Sequence, residues 1–119
     1  MSLKYFSYEE FASPDVPHSG EYMDSDFLKM LDHARHVAGI PFKINSGYRT
    51  IEHNEKVGGR PNSSHIVGKA VDIAIQGSRE RWLILEALIN AGFTRFGIAN
   101  TFIHVDSDDH KDANVIWTY

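Results

Sequence analysis

Apolar positions recur at helical spacing in two stretches of the chain and at strand spacing in several shorter ones. From Ser25 onward, Phe27, Leu28, Leu31, Ala34, Val37 and Ala38 share one face at the three-and-four spacing of an amphipathic helix. Asp24 or Ser25 can cap its start, because a short side chain bearing oxygen accepts a bond from an unpaired first-turn N–H. Gly39 and Pro41 end it. A second helix is predicted from a Ser78 cap to Gly92, with Trp82, Leu85, Leu88 and Ile89 facing inward.

Between and after these helices the period shortens to two. Residues 42–45 alternate apolar and polar as a half-buried strand does, 46–50 turn the chain, and a short helix is expected over 52–57. Residues 58–64 are rich in turn formers and deliver His65 at their end. Residues 70–75 read as a buried strand, and 94–99, 102–106 and 115–118 as three more. Connections of hairpin length near the C-terminal end favour antiparallel pairing. Residues 1–23, with an amphipathic piece at 8–12 followed by Pro14, Pro17 and Gly20, are expected to be a loop-rich lead-in. The expected class is α+β: a small central antiparallel sheet with two main helices, in one domain spanning 1–119.

Composition narrows the partners. The 119 residues are 42% hydrophobic and 24% charged, the balance of a soluble globular protein. A formal charge of −4, with Lys and Arg scattered singly, gives no basic stripe for phosphates, so nucleic acid is not expected as a partner. No run approaches the roughly 20 apolar residues of a membrane span, and the first residues lack the apolar run of a signal peptide. A monomer made in the cytoplasm, off the membrane, is expected. With no Cys, any metal must be held by His, Asp or Glu.

Three positions break the apolar pattern. Asp72 lies within Ala70-Val71-Asp72-Ile73-Ala74-Ile75, where burial of a carboxylate demands a cation, donors or a metal. A salt bridge to Arg49 is one solution and metal ligation another. In Phe102-Ile103-His104-Val105-Asp106 the strand period puts Phe102, His104 and Asp106 on one face. His65 follows a loop seven residues before Asp72, with Gly68 allowing a bend between them. Two His and one Asp suit zinc, and three protein ligands leave a fourth position for water, the pattern of a catalytic site.

Ser63-Ser64-His65-Ile66-Val67-Gly68-Lys69-Ala70-Val71-Asp72 fits the S-x-H-x-x-G-x-A-x-D signature of zinc D-Ala-D-Ala carboxypeptidases, and His104 resembles that family's third ligand. The likeness extends through Ser46-Gly47-Tyr48-Arg49, Glu52-His53-Asn54 and Val57-Gly58-Gly59, and the chain is similar to short phage-associated and bacterial murein peptidases. The resemblance implies a fold shared in outline with lysostaphin-type peptidases and the hedgehog domain. It also implies one zinc ion held by His65, Asp72 and His104, with peptidoglycan stem peptide as the substrate. Arg49 would stabilise a substrate carboxylate or the oxyanion, and Ser63 would help to bind substrate. A phage-type release would bring such an enzyme to the cell wall.

One position departs from the family pattern. Many members place Glu or Asp three residues before the last His ligand, and here that residue is Thr101, which is no base near neutral pH. Asp106, about 7 Å from His104 along the strand, is the first substitute as general base. Its other reading is an acceptor that orients a His ring. The alternative to a peptidase is a zinc-stabilised wall-binding module without turnover. His53 ranks low as a site residue, Asp108 and Asp109 are expected in solvent, and Trp117 and Tyr119 either cover the sheet or rim the cleft.

Overall fold

The computed structural model describes residues 3–119, so Met1 and Ser2 of the lead-in lie outside the described residues. Helix α1 spans Ser25–Ala38, capped by Asp24, whose carboxylate accepts from Phe27 N at 2.9 Å. Helix α2 is a short turn, Ile51–Lys56, with the Thr50 hydroxyl accepting from His53 N. Helix α3 spans Gly77–Asn90. The strands are β1 Ile44–Ser46, β2 Ala70–Ala74, β3 Arg95–Ile98, β4 Phe102–Asp106 and β5 Val115–Thr118.

They form one five-stranded sheet in the order β1-β2-β4-β3-β5. The class is α+β as expected, but the sheet is mixed. β1–β2, β2–β4 and β3–β4 are antiparallel, whereas β5 runs parallel to β3. The chain does reverse after β4, yet β2 and β3 occupy both edges of that strand, so β5 takes the free edge of β3 instead.

Strand alternation divides the sheet into two faces. Val71, Ile73, Phe96, Ile103 and Val105 enter a core with Phe27, Leu28, Leu31 and Ala34 of α1 and Ile84, Ala87 and Leu88 of α3. Two expectations fail on α3. Trp82 is 63% exposed and Ile89 is half exposed, because the inward stripe runs through Ile84, Ala87 and Leu88. Val37 of α1 is likewise exposed.

The lead-in is more than loop. It contains two 3-10 turns, Tyr8–Phe11 and Ser19–Tyr22, and buries Phe6, Phe11 and Met23 in the core. Phe11 also fixes the segment after β1, where its carbonyl accepts from Tyr48 N at 2.8 Å. A Cβ on Gly47 would stand 2.8 Å from Phe11 Cα, so only glycine lets the two backbones meet there. Among the described residues no helix is long and apolar enough to cross a membrane.

Candidate metal centre

The second face of the sheet carries a single row of residues across all five strands. Ser46 pairs with Asp72, Asp72 with His104, His104 with Gly97, and Gly97 with Trp117. Residues directly opposed across strands project to the same side. Asp72 and His104, thirty-two residues apart, therefore meet because β2 and β4 are neighbours in that register.

His65 reaches the same point from the loop before β2. Its backbone is tied to the segment after β1, with Arg49 N donating to His65 O at 3.1 Å, and the Ser63 hydroxyl oxygen accepts from His65 N at 3.2 Å. His65 Nε2 lies 3.3 Å from Asp72 Oδ1, and His104 Nδ1 lies 3.0 Å from the same oxygen. These three donor atoms all stand within 4.8 Å of one another.

Hydrogen bonds on the far sides of the rings decide which nitrogens face inward. His65 Nδ1 is 2.7 Å from the Gly47 carbonyl, which can only accept, so Nδ1 carries hydrogen and Nε2 keeps its lone pair. His104 Nε2 is 2.7 Å from Asp106 Oδ2, which assigns hydrogen to Nε2 and the lone pair to Nδ1. In these neutral tautomers two lone pairs face a carboxylate oxygen at 3.0–3.3 Å; in the metal-free protein a proton on an inward nitrogen bridges ring and carboxylate instead, the place a cation would take. Ligands about 2.0–2.2 Å from a tetrahedral zinc stand roughly 3.3–3.6 Å apart. The two His–Asp separations, 3.3 and 3.0 Å, approach that spacing, and two imidazoles with one carboxylate are a donor set that fits zinc.

Asp72 uses its other oxygen for Arg49, whose Nη2 lies 3.5 Å from Oδ2. The salt bridge and the metal cluster, alternatives in the sequence, coexist on one carboxylate. Arg49 is held in place by Ser46 Oγ at 3.1 Å and by Asn54 Oδ1 at 3.2 Å. Asn54, fully buried, also donates to Arg60 O and so anchors the turn-rich loop. Burial raises the Asp72 pKa, but hydrogen bonds from His104 and His65 outweigh it and hold the carboxyl well below its usual range. Burial lowers the pKa of His104, and hydrogen bonds to Asp106 and Asp72 more than reverse that, leaving it raised.

Asp106 is committed to partners on both of its oxygens. It is 1% exposed, and the His104 ring separates it from Asp72, with Nδ1 toward Asp72 and Nε2 toward Asp106. Its other oxygen accepts from Arg95 Nε at 2.7 Å and from Asp108 N at 3.1 Å. Burial works against its charge, yet these partners, led by His104, keep its pKa lowered. Asp106 is thus placed to orient the His104 ring, the second of the two roles its strand position allowed.

One other expectation changes. Asp108 is buried rather than solvated, accepting from Ser64 Oγ at 2.7 Å and lying 3.4 Å from Lys111 Nζ. This clamp joins the β4–β5 loop to the loop that carries His65. Asp109 is exposed as expected. His53 lies on α2. Sequence reasoning did not single out Arg95, Asn54 as an Arg49 anchor, or Gly97. The register of β3 against β4 would have pointed to Arg95, since it is the cross-strand partner of Asp106.

Comparison with known proteins agrees with this arrangement. The family model described as Peptidase M15 matches residues 4–106. A zinc D-Ala-D-Ala carboxypeptidase of Streptomyces albus G is 39% identical over 61 residues, a stretch covering 50% of this chain and 24% of that relative.

Proposed function

The chain belongs to the peptidase M15 family, and from that premise we propose that it is a zinc-dependent metallopeptidase that hydrolyses peptide bonds of bacterial cell-wall peptidoglycan. It would act either as a D-Ala-D-Ala carboxypeptidase or as an endolysin-like endopeptidase. One observation carries the reading: His65 Nε2 and His104 Nδ1 stand 3.3 and 3.0 Å from Asp72 Oδ1, and the three residues bring one ligand atom each within 4.8 Å of the others. The carboxypeptidase of the partial match supports the choice of substrate.

His65, Asp72 and His104 would hold the metal. Zinc bound there supplies a Lewis acid for the scissile carbonyl and a water whose pKa falls toward about 7. The protein's own groups set the rest. The Gly47 carbonyl and Asp106 each take one ring N–H and so hold both imidazoles in the tautomer that ligates. Arg95 keeps Asp106 charged and fixed. Arg49, with side-chain exposure of only 16% and anchored on two sides, presents a preorganised guanidinium beside Asp72 for a substrate carboxylate or a developing oxyanion. Ser63 sits two residues before His65 at the edge of the same loop, in a position to help bind substrate.

The second reading is a zinc-stabilised wall-binding module without turnover. It is favoured by the commitment of Asp106 to His104 and Arg95, together with Thr101 three residues before His104. Incubating zinc-loaded protein with muropeptides, and weighing the products by mass spectrometry, separates the two. New masses that disappear on chelation support the peptidase. Protein that sediments with cell wall and leaves every muropeptide intact would establish the binding module.

A further inference from the structure

The cross-sheet row that holds Asp72 and His104 ends on β5 in an indole ring, at the opposite end from Ser46 and Arg49. Gly97 lies between His104 and Trp117. A Cβ there would meet Trp117 Nε1 at 2.5 Å and Tyr119 Cε2 at 2.9 Å, so the missing side chain lets both rings fold across β3 toward the metal cluster. The Trp117 ring stands 5.4 Å from the His104 ring, with the Arg95 guanidinium 5.2 Å from its centroid.

Tyr119 follows by two residues and faces the same way. Its ring packs 5.4 Å from Phe102. A phenol hydroxyl can donate its proton to an acceptor such as a carbonyl. Tyr119 Cε2 would lie 2.9 Å from a Cβ on Gly97, the cross-strand partner of His104, which sets the ring over the row that carries the cluster. Tyr119 is nonetheless 71% exposed. Neither ring contributes to the apolar core, which lies on the other face. Both residues also lie beyond residue 106, where the family match ends.

We propose that Trp117 and Tyr119 form the substrate-binding wall of the metal cleft opposite Arg49. Trp117 packs against an alanine-sized side chain of the peptide, and Tyr119 donates its hydroxyl to a peptide carbonyl. The inference rests on the peptidase reading for the identity of its ligand, a stem peptide. Aromatic rings of few rotatable bonds suit such a wall, giving contact area at small entropic cost.

The chain has two tryptophans, and Trp82 is exposed on α3 away from the cluster. Trp82→Phe therefore leaves Trp117 as the sole indole reporter. Zinc-loaded Trp82→Phe protein is mixed rapidly with a synthetic stem pentapeptide carrying both an L-Ala–D-Glu and a D-Ala–D-Ala bond. Emission is read before turnover and products afterwards. The expected result is a saturable change in Trp117 emission. Tyr119→Phe in the same background should raise both the half-saturation concentration and KM about tenfold, the loss of one hydrogen bond, with kcat, zinc content and Tm unchanged. Product formation with flat emission and an unaltered KM in Tyr119→Phe overturns the wall and leaves the peptidase standing. Saturable emission weakened by Tyr119→Phe, without product, supports the wall and overturns the peptidase. Neither emission change nor product overturns both.

Discussion

Along β2 and β4, alternate residues lead to two different environments. Val71, Ile73, Ile103 and Val105 enter the core against α1 and α3, while Asp72, His104 and Asp106 face a cluster of ionisable groups. The apolar face is held by volume: its side chains are non-directional, and what matters is that they fill the space. The polar face is held by direction. Each buried side-chain nitrogen and oxygen among the described residues has a partner, and the order Arg95 to Asp106 to His104 to Asp72 passes orientation from one group to the next. The first face supplies stability that the second consumes in crowding like acceptors around one point.

Removing Asp72 should separate the faces most sharply. Asp72→Ala is expected to abolish zinc binding and hydrolysis. Zinc at about 1,000 times its Kd stabilises a folded protein by about 4 kcal/mol, and the variant should lose all of that linkage. Calorimetric melts with and without chelator check this; a zinc-dependent Tm in the variant would mean that the metal sits elsewhere.

Truncating the opposite face should do the reverse. Ile103→Ala removes a fully buried side chain from the strand that carries His104, and is expected to cost about 3 kcal/mol of stability through lost transfer energy and a cavity. Zinc affinity measured well below the melt should stay within a factor of about two. A large loss of affinity would show that the two faces are mechanically coupled.

Asp106→Asn tests direction alone, since it keeps the shape and removes the charge that fixes the His104 tautomer. Zinc affinity should fall about 10- to 100-fold, with kcat for the zinc-saturated enzyme falling less. A variant that binds zinc normally yet has no turnover would favour Asp106 as the base.

The last comparison is the dependence on pH, whose change over any single pH unit is the smallest of these effects. In the zinc-free protein the raised pKa of His104 means that its protonated form, paired with Asp72 and Asp106, stabilises the fold. That contribution is full below the unfolded His value near 6.5 and is lost as pH rises through the raised folded value. The lowered Asp72 pKa adds stability that is present above the ordinary carboxylate range and lost as pH falls through its folded value. Zinc must displace the His104 proton, so the gap in Tm between zinc-loaded and chelated protein should widen from about pH 5 to 8, by up to about 1.4 kcal/mol per pH unit for one proton. Parallel thermal melts across that range give the answer directly, and a constant gap would refute it.

Much of this was legible in order along the chain. The spacing of Phe27, Leu28, Leu31 and Ala34 set α1, alternation set β2 and β4, and the polar interruptions at Asp72 and His104 marked the site, because each is local in sequence. The misreadings share a cause. Trp82 and Ile89 looked apolar enough for the core but lie outside the stripe that α3 turns inward, and Asp108 looked solvated but is buried against Ser64 and Lys111. The parallel placement of β5, the 3-10 lead-in packed on Gly47, and the aromatic rings over Gly97 were likewise absent from the pattern. Periodicity reports which face a residue takes on its own element, an outcome of backbone geometry alone. Which residue of another strand stands opposite, and therefore whether a carboxylate meets a proton, a guanidinium or a metal, depends on register across the sheet, and only the packed tertiary structure decides that.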